Sequence, residues 1–118
     1  MSLPPSQSEI VIQLQDIGRR LDQLQSDIAG LDKKAINARI AFKRAYTRAF
    51  LEASGAVELR KQLAADASYD LELAAELAEA EVRAARETIR VLRDRLEIGR
   101  SLGAAVRSEW AAGAVGQS

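Results

Sequence analysis

Residues 10–49 read IVIQLQDIGRRLDQLQSDIAGLDKKAINARIAFKRAYTRA. Core-type residues recur there at alternating steps of four and three: Ile10, Leu14, Ile17, Leu21, Leu24, Ile28 and Leu31, then Ala35, Ala38, Phe42, Ala45 and Ala49. That spacing keeps a stripe on one side of a helix, whereas a strand would alternate every second residue. Sustained over forty residues, it is the seam of a coiled coil. After Ala53-Ser54-Gly55-Ala56 a second seam starts at Val57 and runs to Trp110, interrupted by Lys61, Ser68, Gly99 and Gly103. Two long seams joined by one glycine turn predict an all-α fold, a long antiparallel coiled-coil helical hairpin.

The boundaries follow from local chemistry. Residues 1–7 are expected to form a flexible leader, because Pro4 and Pro5 cannot continue a helix upstream and Ser6 or Ser8 offers an N-cap oxygen. Helix 1 is expected over about 8–52, continuous through Gly18 and Gly30 because the seam keeps its phase across both. The turn is placed at 53–56, with Gly55 in the left-handed position that ends a helix and Ser54 capping the next one. Helix 2 is expected over about 56–111, and 112–118 as a flexible tail. With the turn at Gly55, Leu21 should lie near Ile89, Ile28 near Val82 and Phe42 near Ser68.

Composition narrows the functional classes. The chain has 118 residues, one domain's worth, and two helices bury only a narrow stripe each. Such a hairpin is marginal alone, which predicts dimerisation into a four-helix assembly. There is no histidine and no cysteine, so the usual general base, thiolate chemistry and the commonest metal ligands are missing. No enzyme, cofactor or metal site is expected. Lys and Arg balance Asp and Glu at 17 each, so bulk charge argues neither for nucleic acid nor for an anionic membrane. No apolar run reaches the roughly 18–20 residues needed to span a bilayer, and no signal-like start is visible; a cytoplasmic location is expected.

Local charge is more informative. The basic stretch Lys33, Lys34, Arg39, Lys43, Arg44 and Arg48 lies, in the hairpin register, alongside Asp66, Asp70, Glu72, Glu76 and Glu79. Intramolecular matching across the seam, Arg39 facing Glu72, is the expected reading. In helix 2, Arg86, Arg93, Arg100 and Arg107 recur every seven residues, with Arg83 and Arg90 widening the stripe. The facing flank of helix 1 offers Gln25, Gly18 and Val11, which cannot neutralise it. An unopposed guanidinium row suits nucleic-acid phosphates or an acidic protein surface, although pairs such as Arg90–Asp94 and Arg93–Glu97 are spaced to satisfy one another within the helix.

Gly99 and Gly103 form a small-x-x-x-small pair on the seam, open to the leader or to a second subunit. Beside them, Val91, Ile98, Leu102 and Ala105 make a second apolar stripe that helix 1 cannot also cover. An uncovered stripe marks an interface, so an oligomer contact is expected at Val91, Ile98, Gly99, Leu102, Gly103, Ala105 and Trp110. Trp110, the single tryptophan, falls in seam phase as a terminal hydrophobic plug or, alternatively, as an exposed anchor for a partner.

Two stretches carry a resemblance. Ala49-Phe50-Leu51-Glu52-Ala53-Ser54-Gly55-Ala56-Val57 with Arg60-Lys61, and Ile89-Arg90-Val91-Leu92-Arg93 leading into Gly99-Arg100-Ser101-Leu102-Gly103-Ala104-Ala105 and Arg107-Ser108-Glu109-Trp110, are similar to small helical proteins of tailed bacteriophages and prophages. Those proteins come from early gene regions, near single-strand-annealing recombinases. The resemblance implies a DNA-metabolism setting and supplies no catalytic residues. The expected function is a non-enzymatic accessory to DNA recombination or replication, with the arginines on single-stranded DNA or an acidic partner. The alternative is a protein–protein adaptor or modulator with no nucleic-acid contact.

Overall fold

The computed structural model describes residues 6–116, which form three helices, α1 (Gln7–Glu52), α2 (Val57–Ala67) and α3 (Tyr69–Gly116). The fold is all-α and hairpin-like, with α1 and α3 antiparallel. α1 opens with a reciprocal cap. The Glu9 backbone N–H donates to Ser6 Oγ at 3.2 Å, and the Ser6 N–H donates to the Glu9 carboxylate at 3.0 Å. This Ser-x-x-Glu box satisfies two donors at the exposed end of the helix. The helix then passes through Gly18 and Gly30 without a break. The expected leader residues 1–5 and the last two residues of the expected tail lie outside the described residues.

At the turn Gly55 adopts φ +112°, a conformation that costs any residue with a Cβ. Ser54 does not cap the next helix as expected: the N-cap is Ala56, in an extended conformation and without a side-chain hydrogen bond. The turn is closed instead by Arg60. Its Nε and Nη2 donate to the Phe50 carbonyl at 3.3 and 3.1 Å, and its guanidinium lies 4.3 Å from the Phe50 ring centroid. One of the carbonyls stranded at the end of α1 is thereby satisfied from across the turn.

Two expectations for the second arm are corrected. It is not one helix, because Ser68 separates α2 from α3 with φ −106° and ψ 7°. Ser68 is fully buried, and its hydroxyl donates to the Ala64 carbonyl at 2.7 Å. A serine hydroxyl that back-bonds to the i−4 carbonyl competes with the helix ladder and bends it. The backbone bonds Ser68 N–H to Ala64 O and Glu72 N–H to Ser68 O survive, at 3.1 and 3.0 Å, so the chain direction is kept. The second correction concerns the tail: α3 continues through 112–116 rather than ending near Ala111.

The chain divides into two compact units. Unit 1 joins the residues up to Gln25 with those from Glu87, and unit 2 is Ser26–Arg86. In unit 1, Leu21, Ile89 and Leu92 form the buried cluster, with Ile17, Leu24 and Leu96 packed on it. In unit 2, Ala35, Ala78 and Val82 form the cluster, with Ile28, Leu31 and Ala38 around them. Leu21 with Ile89, and Ile28 with Val82, are therefore neighbours as the register requires. No seam residue of α1 is fully exposed. The α2–α3 seam is covered from Ala64 to Val106 except at Leu71.

Candidate functional site

The charges on the seam flanks are matched less completely than the sequence suggests. In unit 2, Arg39 pairs with Glu79 and not with Glu72: Nε donates to the Glu79 carboxylate at 3.0 Å, and Nη2 grips its second oxygen. The guanidinium hydrogen bond, reinforced by the charges of Arg39, Arg83 and Lys43, holds the Glu79 carboxyl below the ordinary glutamate range against the opposing effect of burial. Lys34 reaches Glu81 at 3.4 Å. Arg39 and Lys34 are, among the described residues, the two members of the basic stretch held in ion pairs. Among the described residues, Lys33, Lys43, Arg44 and Arg48 make no ion pair, and neither do Asp66, Asp70, Glu72 and Glu76. Intramolecular charge matching is thus present at Arg39–Glu79 and Lys34–Glu81, with the charges of Glu72 and Glu76 also acting on Arg39.

The arginine stripe also differs from its reading as unopposed. In unit 2, Arg86 donates from Nη2 to both carboxylate oxygens of Asp32, at 3.1 and 3.0 Å. Asp32 continues the flank series Val11, Gly18 and Gln25 by one further step of seven residues, opposite Arg86, beyond the positions compared in the sequence. In unit 1, Arg90 is held by Glu87 and by Asp94, and Arg100 approaches Glu97 at 3.7 Å. The Arg90 hydrogen bond lowers the Glu87 carboxyl below its usual range. Arg93 does not reach Glu97. Arg83, Arg93 and Arg107 make no ion pair among the described residues. Half of the six arginines of the stripe, Arg86, Arg90 and Arg100, are thus in ion pairs.

The expected oligomer surface in unit 1 separates into two kinds of residue. Gly99 and Gly103 are not open to a second subunit. A Cβ at Gly99 would sit 2.5 Å from Leu14 Cδ2, and one at Gly103 would sit 3.6 Å from Ile10 Cγ2. These glycines receive the large side chains of α1, and Gly103 is buried beneath Ile10. Ile98, Leu102 and Ala105 are exposed, whereas Val91 is half-buried. Ile98 and Leu102 form one wall of an apolar cleft of about 220 Å³ whose other wall is Ile10, Leu14 and Ile17. Trp110 plugs nothing: it is 75% exposed.

The surface that periodicity missed is in unit 2. Ile36 and Ile40 are exposed on α1, with Leu51 further along the same side. Ile40 and Leu51, eleven residues apart, lie on the side away from the seam, while Ile36 borders the groove between α1 and α3 near Val82 and Arg83. Leu73 and Leu77 occupy the equivalent outer side of α3, and Leu59 and Leu63 that of α2. On α1 the side chains of Lys43, Arg44, Thr47, Arg48, Leu51 and Glu52 frame a shallow open hollow of about 530 Å³. The available signal was the isolated large aliphatics between charges, each of which is unremarkable alone.

No metal-holding cluster of acidic side chains occurs among the described residues. No described helix is long and apolar enough to cross a membrane. Comparison of the chain with protein-family models, with curated proteins and with solved structures returns no match.

Proposed function

We propose that this chain is a non-enzymatic, coiled-coil-type helical scaffold that works by protein–protein contact through the outer faces of its helices. One observation carries the reading. Fifteen large hydrophobic residues are at least 40% exposed among those described, whereas only five residues larger than alanine are counted in the buried apolar core. Single exposed aliphatics are ordinary. Many of them, aligned on helix faces, are what a partner surface requires. Pairing of two hairpins into a four-helix assembly is one form of such contact. Affinity capture with the wild-type chain and with Leu73→Asp, Leu77→Asp and Ile98→Asp variants tests the reading. The captured partner should be lost in at least one variant that remains helical; capture that is indifferent to all three overturns it.

A second reading rests on Arg93 and Arg107, which have no ion pair, and on the cations Lys43, Arg44 and Arg48 of α1. Together with the resemblance to phage early-region proteins, they support contact with single-stranded DNA in recombination or replication. Phosphate contacts weaken as salt rises because counterions are released. A labelled single strand should therefore bind at low salt, bind less at physiological salt, and bind less to an Arg93→Gln, Arg107→Gln variant. Absence of binding at low salt ends this reading.

A further inference from the structure

Unit 2 carries two outer faces of opposite charge. The α1 face presents Ile40 and Leu51, with Ile36 at its edge, among Lys33, Lys43, Arg44 and Arg48, all exposed. Among the described residues none of these cations makes an ion pair, although the charge of Lys43 acts on Glu79 and the carboxylate of Glu52 borders the hollow beside Leu51. The α2–α3 face presents Leu59, Leu63, Leu73 and Leu77 among the exposed carboxylates Asp66, Asp70 and Glu76, none of them in an ion pair among the described residues, with the charge of Glu76 also acting on Arg39 of α1. α1 and α3 are antiparallel within the unit and share one seam, so residues half a turn from that seam point away from each other. Lys33, Arg44 and Arg48 make no ion pair with the carboxylates Asp66 and Asp70 of their own chain. They can reach those of another copy.

We infer that the cationic α1 face of unit 2 docks on the acidic α2–α3 face of a second copy of this chain. The inference rests on the protein-contact reading above and names its partner. Apolar residues meet apolar residues along the middle of the contact, and opposite charges meet along its rims. The alternative pairings are disfavoured: two α1 faces would bring four unpaired cations against four others, and two α2–α3 faces would bring carboxylates against carboxylates. The contact is heterologous, so each copy retains one free face of each kind. Association of this type continues until a ring closes, or grows as an open stack. The α1 face from residue 33 to residue 51 covers 19 residues, about 28 Å of helix, which gives a contact at the small end of specific interfaces and a concentration-dependent assembly.

Sedimentation velocity on the full chain tests this across a concentration series. The wild type should shift from monomer to dimer and larger species as concentration rises, and should shift back as salt screens the rims. Two variants separate the faces: Ile36→Asp with Ile40→Asp on α1, and Leu73→Asp with Leu77→Asp on α3. All four positions are exposed, and circular dichroism checks that both variants stay helical. Each variant alone should remain monomeric. Mixed, they should form a species of twice the chain mass and nothing larger, because one intact face of each kind remains. A wild type that stays monomeric throughout overturns the inference, as does a mixture that fails to pair. A monomeric wild type that still loses a captured protein on Leu77→Asp would overturn self-docking and leave the general protein-contact reading standing.

Discussion

The two units solve the same packing problem with opposite materials. Unit 1 buries Ile10, Leu21, Ile89 and Leu92, while unit 2 buries Val82 with five alanines and Ser68. The exposed side is reversed: ten of the fifteen exposed large hydrophobics belong to unit 2. Unit 1 holds together by filling its seam. Unit 2 lines its seam with small residues and turns many of its large residues outward. A helix pair gains stability from apolar area removed from water, so the alanine seam gains less from itself and leaves more available for a partner.

Substitutions of opposite sense should distinguish the two seams. Leu92 is 1% exposed at the centre of the unit 1 cluster. Leu92→Ala removes most of a buried side chain and should cost about 2–5 kcal/mol of unfolding free energy in urea titration. Ala75 is completely buried in unit 2, and Ala75→Leu adds volume where the backbones leave none. That should cost about 1–3 kcal/mol by overpacking. If Ala75→Leu were neutral or stabilising, the alanine seam would be loosely packed and the contrast between the units would fail.

The turn gives the next effect. Gly55 has φ +112°, and a Cβ there would come within 3.1 Å of Leu59 Cδ2. Gly55→Ala should destabilise by about 1–3 kcal/mol, read as a lower melting temperature with helicity retained.

Hairpin architecture and register were legible because one physical rule, the four–three recurrence of apolar residues, governs every seam residue from Ile10 to Ala49. Ser68 shows where that rule stops. It sits in seam phase and is buried as seam residues are, but its hydroxyl hydrogen bond to Ala64 depends on one rotamer that spacing does not encode. The ion pairs show a second limit. Arg39 and Arg86 each had several carboxylates within reach of a long side chain, and heptad letters rank those partners only by position. Of the candidate surface residues, Ile98 and Leu102 are exposed as their phase beside the seam requires, whereas Trp110 is exposed although its phase places it on the seam. Gly99 and Gly103 were assigned to the wrong neighbour, because a missing Cβ does not say which side chain fills the gap.

The glycines sharpen the comparison further. Gly30 is exposed in unit 2 and nothing lies within 4 Å of a Cβ added there. Gly30→Ala should therefore stabilise by about 1 kcal/mol through helix propensity alone. Gly99→Ala, in unit 1, gains the same propensity but must displace Leu14 Cδ2, which would lie 2.5 Å away. The smaller net gain, or a loss, should appear as a melting temperature below that of Gly30→Ala. Equal gains would mean that Leu14 moves aside freely and that the unit 1 seam is less tightly filled than its residues imply.

The smallest expected effect is electrostatic, and its sign is fixed. The Glu79 and Glu87 carboxyls both sit below the ordinary glutamate range because a guanidinium hydrogen-bonds each of them. A group with a folded-state pKa below its unfolded value stabilises the fold above the unfolded value, near pH 4.3, and loses that contribution as pH falls through the folded value. Acidification below about pH 4 should therefore weaken the chain. The two carboxyls differ in what they hold. Glu79 bridges from α3 to Arg39 on α1, across forty residues of sequence, while Glu87 pairs with Arg90 three residues along the same helix. The Glu87–Arg90 pair is open to solvent and the Glu79–Arg39 pair about a third exposed, so each effect is small. Glu79→Gln should flatten the acid limb of a melting-temperature profile more than Glu87→Gln does, because only the first carboxyl joins two helices. The reverse order would place the more important electrostatic support within α3 itself, and would leave the alanine seam of unit 2 to hold its helices without that bridge.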